Sequence, residues 1–207
     1  VQSLCHSLFL DLQTKCGEND TSAVGDVAVV STGATPSRKV PSYYQGEIPW
    51  VKTREVDGGW ILNTEEKIAE KAIKESNCKV FPERTVLVAM YGQGRTRGKV
   101  GRLAEPAATN QACAAICIED AVDDDFLFYV LRNSYEQLRS LGRGGNQDNL
   151  NLSLVRDFRI PWPAVEIRQR FVAQMNEATR ILTLLEKRND ALALLGKSLE
   201  QRYFSAS

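Results

Sequence analysis

Histidine is almost missing from this chain: His6 is the only one in 207 residues, and it lies in the first helical stretch. That removes the commonest general base and argues against a Ser-His-Asp or Cys-His site. Paired cysteines are missing too. Cys5, Cys16, Cys78, Cys113 and Cys117 make an odd number with no Cys-x-x-Cys spacing, so neither a disulfide framework nor a zinc knuckle is indicated. Cys113 and Cys117 fall on one side of a strand in "QACAAICI" and read as small buried hydrophobes. No secretory pattern and no apolar run of membrane length occurs, which sets the expectation of a cytoplasmic protein that makes no membrane contact. Net charge is absent as well: 26 basic residues balance 26 acidic ones. Whole-chain electrostatics therefore do not mark a nucleic-acid binder.

What is present includes a glycine-rich stretch, "LVAMYGQGRTRGKVG", residues Leu87 to Gly101. A phosphate-binding Walker loop would need glycine at Gln93 and a hydroxyl at Val100, and has neither. The dinucleotide pattern fits Gly92 and Gly94 but meets Arg97 at its third position, with no helix pattern behind it. What remains is a strand from Thr85 to Met90, a glycine turn and a basic outgoing arm. From Arg84 to Arg102 stand Arg84, Arg95, Arg97, Lys99 and Arg102, with no acidic residue among them, whereas Glu119, Asp120, Asp123, Asp124 and Asp125 crowd into a short acidic run. Such a loop can track a polyanion or reach base edges; it can also be an ordinary solvated hairpin.

Three regions separate along the chain. Residues 1–22 open with a helical pattern to about Lys15. Residues 23–163 mix patterns: "VGDVAVVST", "RTVLVAMY" and "QACAAICIE" predict strands, "EEKIAEKAI" a short helix, and "DDFLFYVLRNSYEQLRSL" a longer one with acidic residues at its start. Residues 164–207 predict one long helix free of proline. In it Phe171, Ala178, Leu185, Leu192 and Leu199 recur at heptad spacing, with Ile167, Gln174, Ile181, Arg188 and Leu195 as companions. About forty helical residues extend roughly 60 Å, beyond the preceding domain, so the stripe calls for a partner helix unless it packs back on its own domain. The expected fold is α+β, one globular domain with a mixed or antiparallel sheet plus a long C-terminal helix that forms a coiled coil with a partner helix. "QSLCHSLF" at Gln2 to Phe9 and "KSLEQRYF" at Lys197 to Phe204 share three residues in register, which fits a repeating helix–domain–helix design or chance likeness between amphipathic helices.

In this order, "STGATPS" (Ser31 to Ser37), "YYQGEIPWV" (Tyr43 to Val51), "GRTRGKVG" (Gly94 to Gly101), "TNQACAA" (Thr109 to Ala115), "NQDNLNLSLVRDFRIPWP" (Asn146 to Pro163) and "EIRQRFVAQM" resemble the specificity subunits of type I restriction-modification enzymes. The resemblance covers nearly the whole chain and implies a target recognition domain on a coiled-coil spacer. Subunits of that family usually carry two such domains, joined and ended by antiparallel helices that fix the distance between half-sites. It further implies double-stranded DNA as ligand, methyltransferase subunits docked on the spacer to methylate adenine, and a motor-nuclease subunit joining for cleavage. No cofactor is then expected in this chain; S-adenosylmethionine, ATP and magnesium belong to the partner subunits. One recognition domain here instead of two implies a half-subunit or a fragment, and a half-subunit is expected to form a homodimer.

The candidate DNA-reading residues are polar or cationic side chains on loops: Thr35, Ser37, Arg38 and Lys39; Lys52 and Arg54; Tyr91, Gln93, Arg95, Arg97 and Lys99; and Arg143, Asn146, Gln147 and Asn149. Thr35-Pro36, Pro49-Trp50 and Asn110-Gln111 can equally fix loop shape, the preferred reading for Trp50. The expected partner-helix residues are Leu4, Leu8, Phe171, Ala178, Ile181, Leu185, Leu192, Leu195 and Leu199. Catalysis by this chain is not expected. It has no Asn/Asp-Pro-Pro-Tyr/Phe pocket for adenine methylation, and a nuclease centre drawn from Asp57, Glu65 and Lys67 competes with a plain salt-bridged helix. The alternative is a protein scaffold, or an antirestriction decoy, that acts through the long helix without binding DNA.

Overall fold

The structure, a computed structural model, describes residues 2–92, 94–141 and 149–204. In chain order, α1 (Gln2–Lys15) leads into β1 (Thr21–Ala23), the single turn α2 (Val24–Val27) and β2 (Val29–Thr32). β3 (Ile48–Val51), β4 (Trp60–Ile61), β5 (Glu66–Ile68), α3 (Glu70–Glu75), β6 (Val80–Phe81), β7 (Val86–Ala89), β8 (Val100–Leu103), β9 (Ala107–Thr109) and β10 (Cys113–Cys117) follow. α4 (Ala121–Asn133), α5 (Tyr135–Leu141), α6 (Leu152–Arg156), β11 (Arg159–Pro161) and α7 (Val165–Phe204) complete the order. The strands form a five-stranded sheet, β2-β10-β7-β8-β4, a four-stranded sheet, β5-β3-β9-β6, and the pair β1-β11. Neighbours are antiparallel except β4 beside β8 and β3 beside β9.

Side-chain alternation along the central strands sorts residues into two cores. Val86 and Val88 of β7 join Ala114 and Ile116 of β10 under the helices, where Phe9, Phe126, Phe171 and Met175 also lie. Leu87 and Ala89 face the other way, with Cys113, Ala115, Val51, Phe81 and Ala107. Both faces are covered, which is why these strands read as unbroken apolar runs. A third cluster, Tyr43, Trp50, Ile68, Ala72, Cys78 and Ala108, closes the far side of the four-stranded sheet. The layers therefore run helices, five-stranded sheet, four-stranded sheet, α3.

Three expectations change. "EEKIAEKAI" is not one helix: Glu66–Ile68 is strand β5, because it pairs with Ile48, Pro49 and Trp50 of β3, and only then does α3 begin. The long helix expected after the acidic run is two, since Ser134 turns its amide and hydroxyl back onto Val130 O and ends α4. "VGDVAVVST" begins with the α2 turn and is strand only over Val29–Thr32. At the start of α4, Asp120 caps the helix by accepting from the amides of Val122 and Asp123, worth about 1 kcal/mol.

The acidic run that follows does not face solvent alone. Asp123 pairs with Arg168 of α7 at 2.7 Å, Asp124 with Arg84 at 2.7 Å, and Asp125 with Arg102 of β8 at 2.6 Å. Charges segregated along the sequence are thus joined in space, and Arg84 and Arg102 are structural and not part of a free basic arm. α4 also packs on α7 through Phe126 and Phe171, edge to face at 5.5 Å, and through the Tyr129 hydroxyl on Asn176 Oδ1 at 2.6 Å. Phe171 and Ala178 are consequently buried in their own domain, a correction to their expected place on a partner helix. Beyond them Ile181, Leu185, Leu192 and Leu195 are exposed, as is Leu4 on α1, while Leu8 packs against the core. The side chain of Leu199 lies outside the described residues.

Candidate functional site

Strand pairing brings the candidate loops to one end of the two sheets. β2 and β7 both run antiparallel to β10, with Thr32 opposite Ala114 and Ala89 opposite Cys113. The chain therefore leaves β2 at Gly33, leaves β7 at Met90 and enters β10 from Ala112, all at the same end. Val51 and Thr109 are register partners in a parallel pair, so Lys52 and Asn110 emerge there too. The Leu150 amide donates to Met90 O at 3.1 Å and fixes the position next to exposed Asn149.

The first loop is locked to the turn before β10. A Cβ on Gly33 would lie 1.9 Å from Thr109 O, so only glycine allows this approach. It lets the Ala34 amide donate to Thr109 O at 3.0 Å. The Thr32 hydroxyl reaches Gln111 O and Cys113 O, and Thr35 Oγ1 donates to Gln111 Oε1 at 2.6 Å. Ala34 O accepts from Trp50 Nε1 at 3.1 Å and from the Cys78 thiol at 3.3 Å. Buried Trp50 is therefore structural, and the motifs "STGATPS", "IPW" and "TNQ" are parts of one assembly.

The cations of this face differ in freedom. The Lys52 side chain is only 16% exposed and is held by Glu65 at 2.8 Å and Glu66 at 2.7 Å. Arg54 pairs with Glu65, and Lys99 with Asp57. These three residues are spoken for by carboxylates within the chain, which weakens the expectation that each meets DNA. Arg38 pairs with Glu66 at 2.7 Å yet remains 57% exposed. The Arg38 and Lys52 cations beside Glu66 hold its carboxyl at about 2, below the ordinary 4.5. Ser37, Lys39, Tyr91 and Arg95 are exposed. Arg97 is half-buried with its Nε unpartnered, and the Tyr135 hydroxyl donates to Arg95 O at 2.8 Å. Gln93, Arg143, Asn146 and Gln147 lie outside the described residues. Three glycines shape the β7–β8 loop with positive φ, Gly92 at 143°, Gly94 at 63° and Gly98 at 85°. The glycine signal is thus turn geometry, which side chains other than glycine rarely adopt.

Asp57, Glu65 and Lys67 do not form a nuclease centre: each is paired separately, Lys67 with Glu47 at 2.6 Å. Among the described residues no group of three or more His, Cys, Asp or Glu could hold a metal, and no helix is long and apolar enough to cross a membrane. The Cys113 thiol is pushed up to about 12 by burial, as suits a core residue. Gln111 takes the loop-fixing role that its sequence context allowed, whereas sequence reading missed Glu66 as the hub of the charged cluster. Glu66 has no local signal, since it acts through Lys52 and Arg38, which lie far along the chain.

A family model described as the type I restriction modification DNA specificity domain matches residues 17–194. The MjaIX specificity subunit of Methanocaldococcus jannaschii is 27% identical over 193 residues, covering 89% of this chain and 43% of that protein. The EcoR124I/EcoR124II specificity subunit of Escherichia coli is 22% identical over 165 residues, covering 78% of this chain and 41% of that one. Among solved structures, the type I restriction-modification S subunit from M. genitalium superposes with a TM-score of 0.62 at 12% identity, over 96% of this chain and 51% of that one. The HsdS subunit from Thermoanaerobacter tengcongensis gives 0.66 at 15% identity, over 90% and 45%. The chain spans about half the length of the relatives and structures it matches.

Proposed function

Because the chain belongs to the type I restriction modification DNA specificity domain family, we propose that it reads one half of a bipartite DNA target and docks methyltransferase subunits through its helices. The observation that carries this reading is the convergence of the polar loops after β2, β3, β7 and β9 on one end of a rigid pair of sheets. Recognition needs side chains held in fixed relation to one another, and loops anchored on buried strands supply that. The chain contributes recognition and not chemistry; S-adenosylmethionine, ATP and magnesium enter with the methyltransferase and motor-nuclease subunits.

A second copy supplies the other half-site. The exposed stripe of Ile181, Leu185, Leu192 and Leu195 supports a helix-to-helix contact between copies. Two copies about a twofold axis read inverted repeats of one short sequence, so the target is a palindrome with a fixed gap. The test is selection from a pool of random duplexes by the purified chain with its methyltransferase subunit, followed by sequencing. Enrichment of a gapped palindrome is expected, with affinity falling steeply as salt rises. Retention of DNA with no enriched sequence would refute recognition, and an asymmetric motif would refute the two-copy arrangement.

A further inference from the structure

Building on the DNA-recognition reading, we infer that Arg38 is the side chain of this face that identifies a guanine within the half-site. Phosphate contacts position a protein, whereas base contacts specify sequence and require a donor pair held in a fixed plane. Arg38 is held in that way. Its guanidinium carbon lies 4.0 Å from the centroid of the Tyr44 ring and 5.5 Å from that of Trp50, and Nη1 is 2.7 Å from the Glu66 carboxylate. Each support is itself anchored. The Tyr44 hydroxyl donates to Pro36 O at 2.6 Å, Trp50 Nε1 donates to Ala34 O, and Lys52 holds Glu66 at 2.7 Å.

Among the described residues, the other cations of this face lack this combination. Lys52 is largely covered, Arg54 and Lys99 are engaged by exposed carboxylates, and Lys39 is an exposed lysine, a point charge suited to phosphate. Arg38 keeps more than half of its side chain in solvent while ring and carboxylate fix its plane. A guanidinium presents five donors in a rigid fork, and the guanine major-groove edge offers O6 and N7 as matched acceptors. The carboxylate and the aromatic rings thus orient the arginine before DNA arrives, which spares it ordering on binding.

The experiment repeats the duplex selection with the full chain and its methyltransferase subunit as wild type, Arg38→Ala, Arg38→Lys and Lys39→Ala. Wild type is expected to require guanine at one position of each half-site. Arg38→Ala should lose that preference by roughly 10- to 100-fold while the other positions stay specified. Arg38→Lys should not restore it, because an ammonium offers no planar fork. Lys39→Ala should weaken all sequences evenly and lower the salt slope by about one. Specificity retained at the other positions reports that the Arg38 variants are folded. Three results overturn the inference: a wild-type motif without guanine, an unchanged guanine preference in Arg38→Ala, or an even loss across all sequences with a shallower salt slope. If wild type itself selects no sequence, the recognition reading fails and takes this inference with it.

Discussion

Substituting Gly33 with alanine tests whether the close backbone approach holds the recognition loops together. Gly33 does not have the positive φ that strains a side chain, so the cost comes from contact alone. The new Cβ would lie 1.9 Å from Thr109 O and 2.5 Å from Thr109 Oγ1, short of carbon contact distance by about 1.5 Å. Relief requires moving the loop by about that much, which breaks the 3.0 Å bond from the Ala34 amide to Thr109 O. Thr109 is fully buried, so water does not replace the lost donor. Crowding costs about 1–3 kcal/mol and the unsatisfied carbonyl about 1–3 kcal/mol, offset by about 0.4–1 kcal/mol from the stiffer unfolded chain. A net loss of roughly 3 kcal/mol is expected in urea unfolding, together with faster amide exchange at Ala34. Gly196→Ala in α7, where an added Cβ meets nothing within 4 Å, is the contrast and should stabilise by about 0.5–1 kcal/mol. A Gly33→Ala protein within about 0.5 kcal/mol of wild type would show that this approach yields freely and does not organise the loops.

Arg102→Ala should destabilise by roughly 3–5 kcal/mol, because Asp124, with its side chain 6% exposed, and Asp125 lose a buried cation. Adding Asp124→Asn should recover part of that loss in urea melts; no recovery would mean that the charges are not what holds α4 to β8. Glu66 is depressed to about 2 by Arg38 and Lys52, so its contribution is complete above about 4.5 and drains away as pH falls from there toward 2. Glu66→Gln should therefore flatten the acid limb of the stability curve in that window, and superimposable curves for the two proteins would count against the pairing. Replacing exposed Leu185 and Leu192 with glutamate should turn a dimer into a monomer in sedimentation velocity while the chain stays folded. Persistence of the dimer would place the contact elsewhere.

The sequence revealed those parts of the fold whose periodicity is imposed by a single neighbouring layer. α1 and α7 carry helical spacing over whole turns, and β7 and β10 show the continuous apolar runs of strands covered on both faces. β5 was hidden because "EKI" is charged and helix-compatible; its strand geometry comes from pairing with β3. The candidate loops were legible through glycine, proline and uncompensated charge. Which of their cations remain free was not, because the neutralising carboxylates lie far along the chain, Asp57 for Lys99 and Glu66 for Arg38. The heptad stripe was visible in α7, but it could not report that Phe171 and Ala178 turn inward while Leu185 and Leu192 do not. That division depends on where α4 lies.

Three consecutive aspartates on α4 grip two different bodies. Successive helical residues are turned by about 100°, so Asp123 faces Arg168 on α7 while Asp124 and Asp125 face Arg84 and Arg102 at the base of the β7–β8 hairpin. Swivelling the globular part about the long helix would therefore pull ion pairs apart on one side or the other. On the proposed function, a recognition domain locked to its helix in this way would turn helix length into a ruler. Where two such heads share a spacer, the number of base pairs between the half-sites would be set by rigid geometry, and an insertion of even one base pair would present the second half-site out of phase.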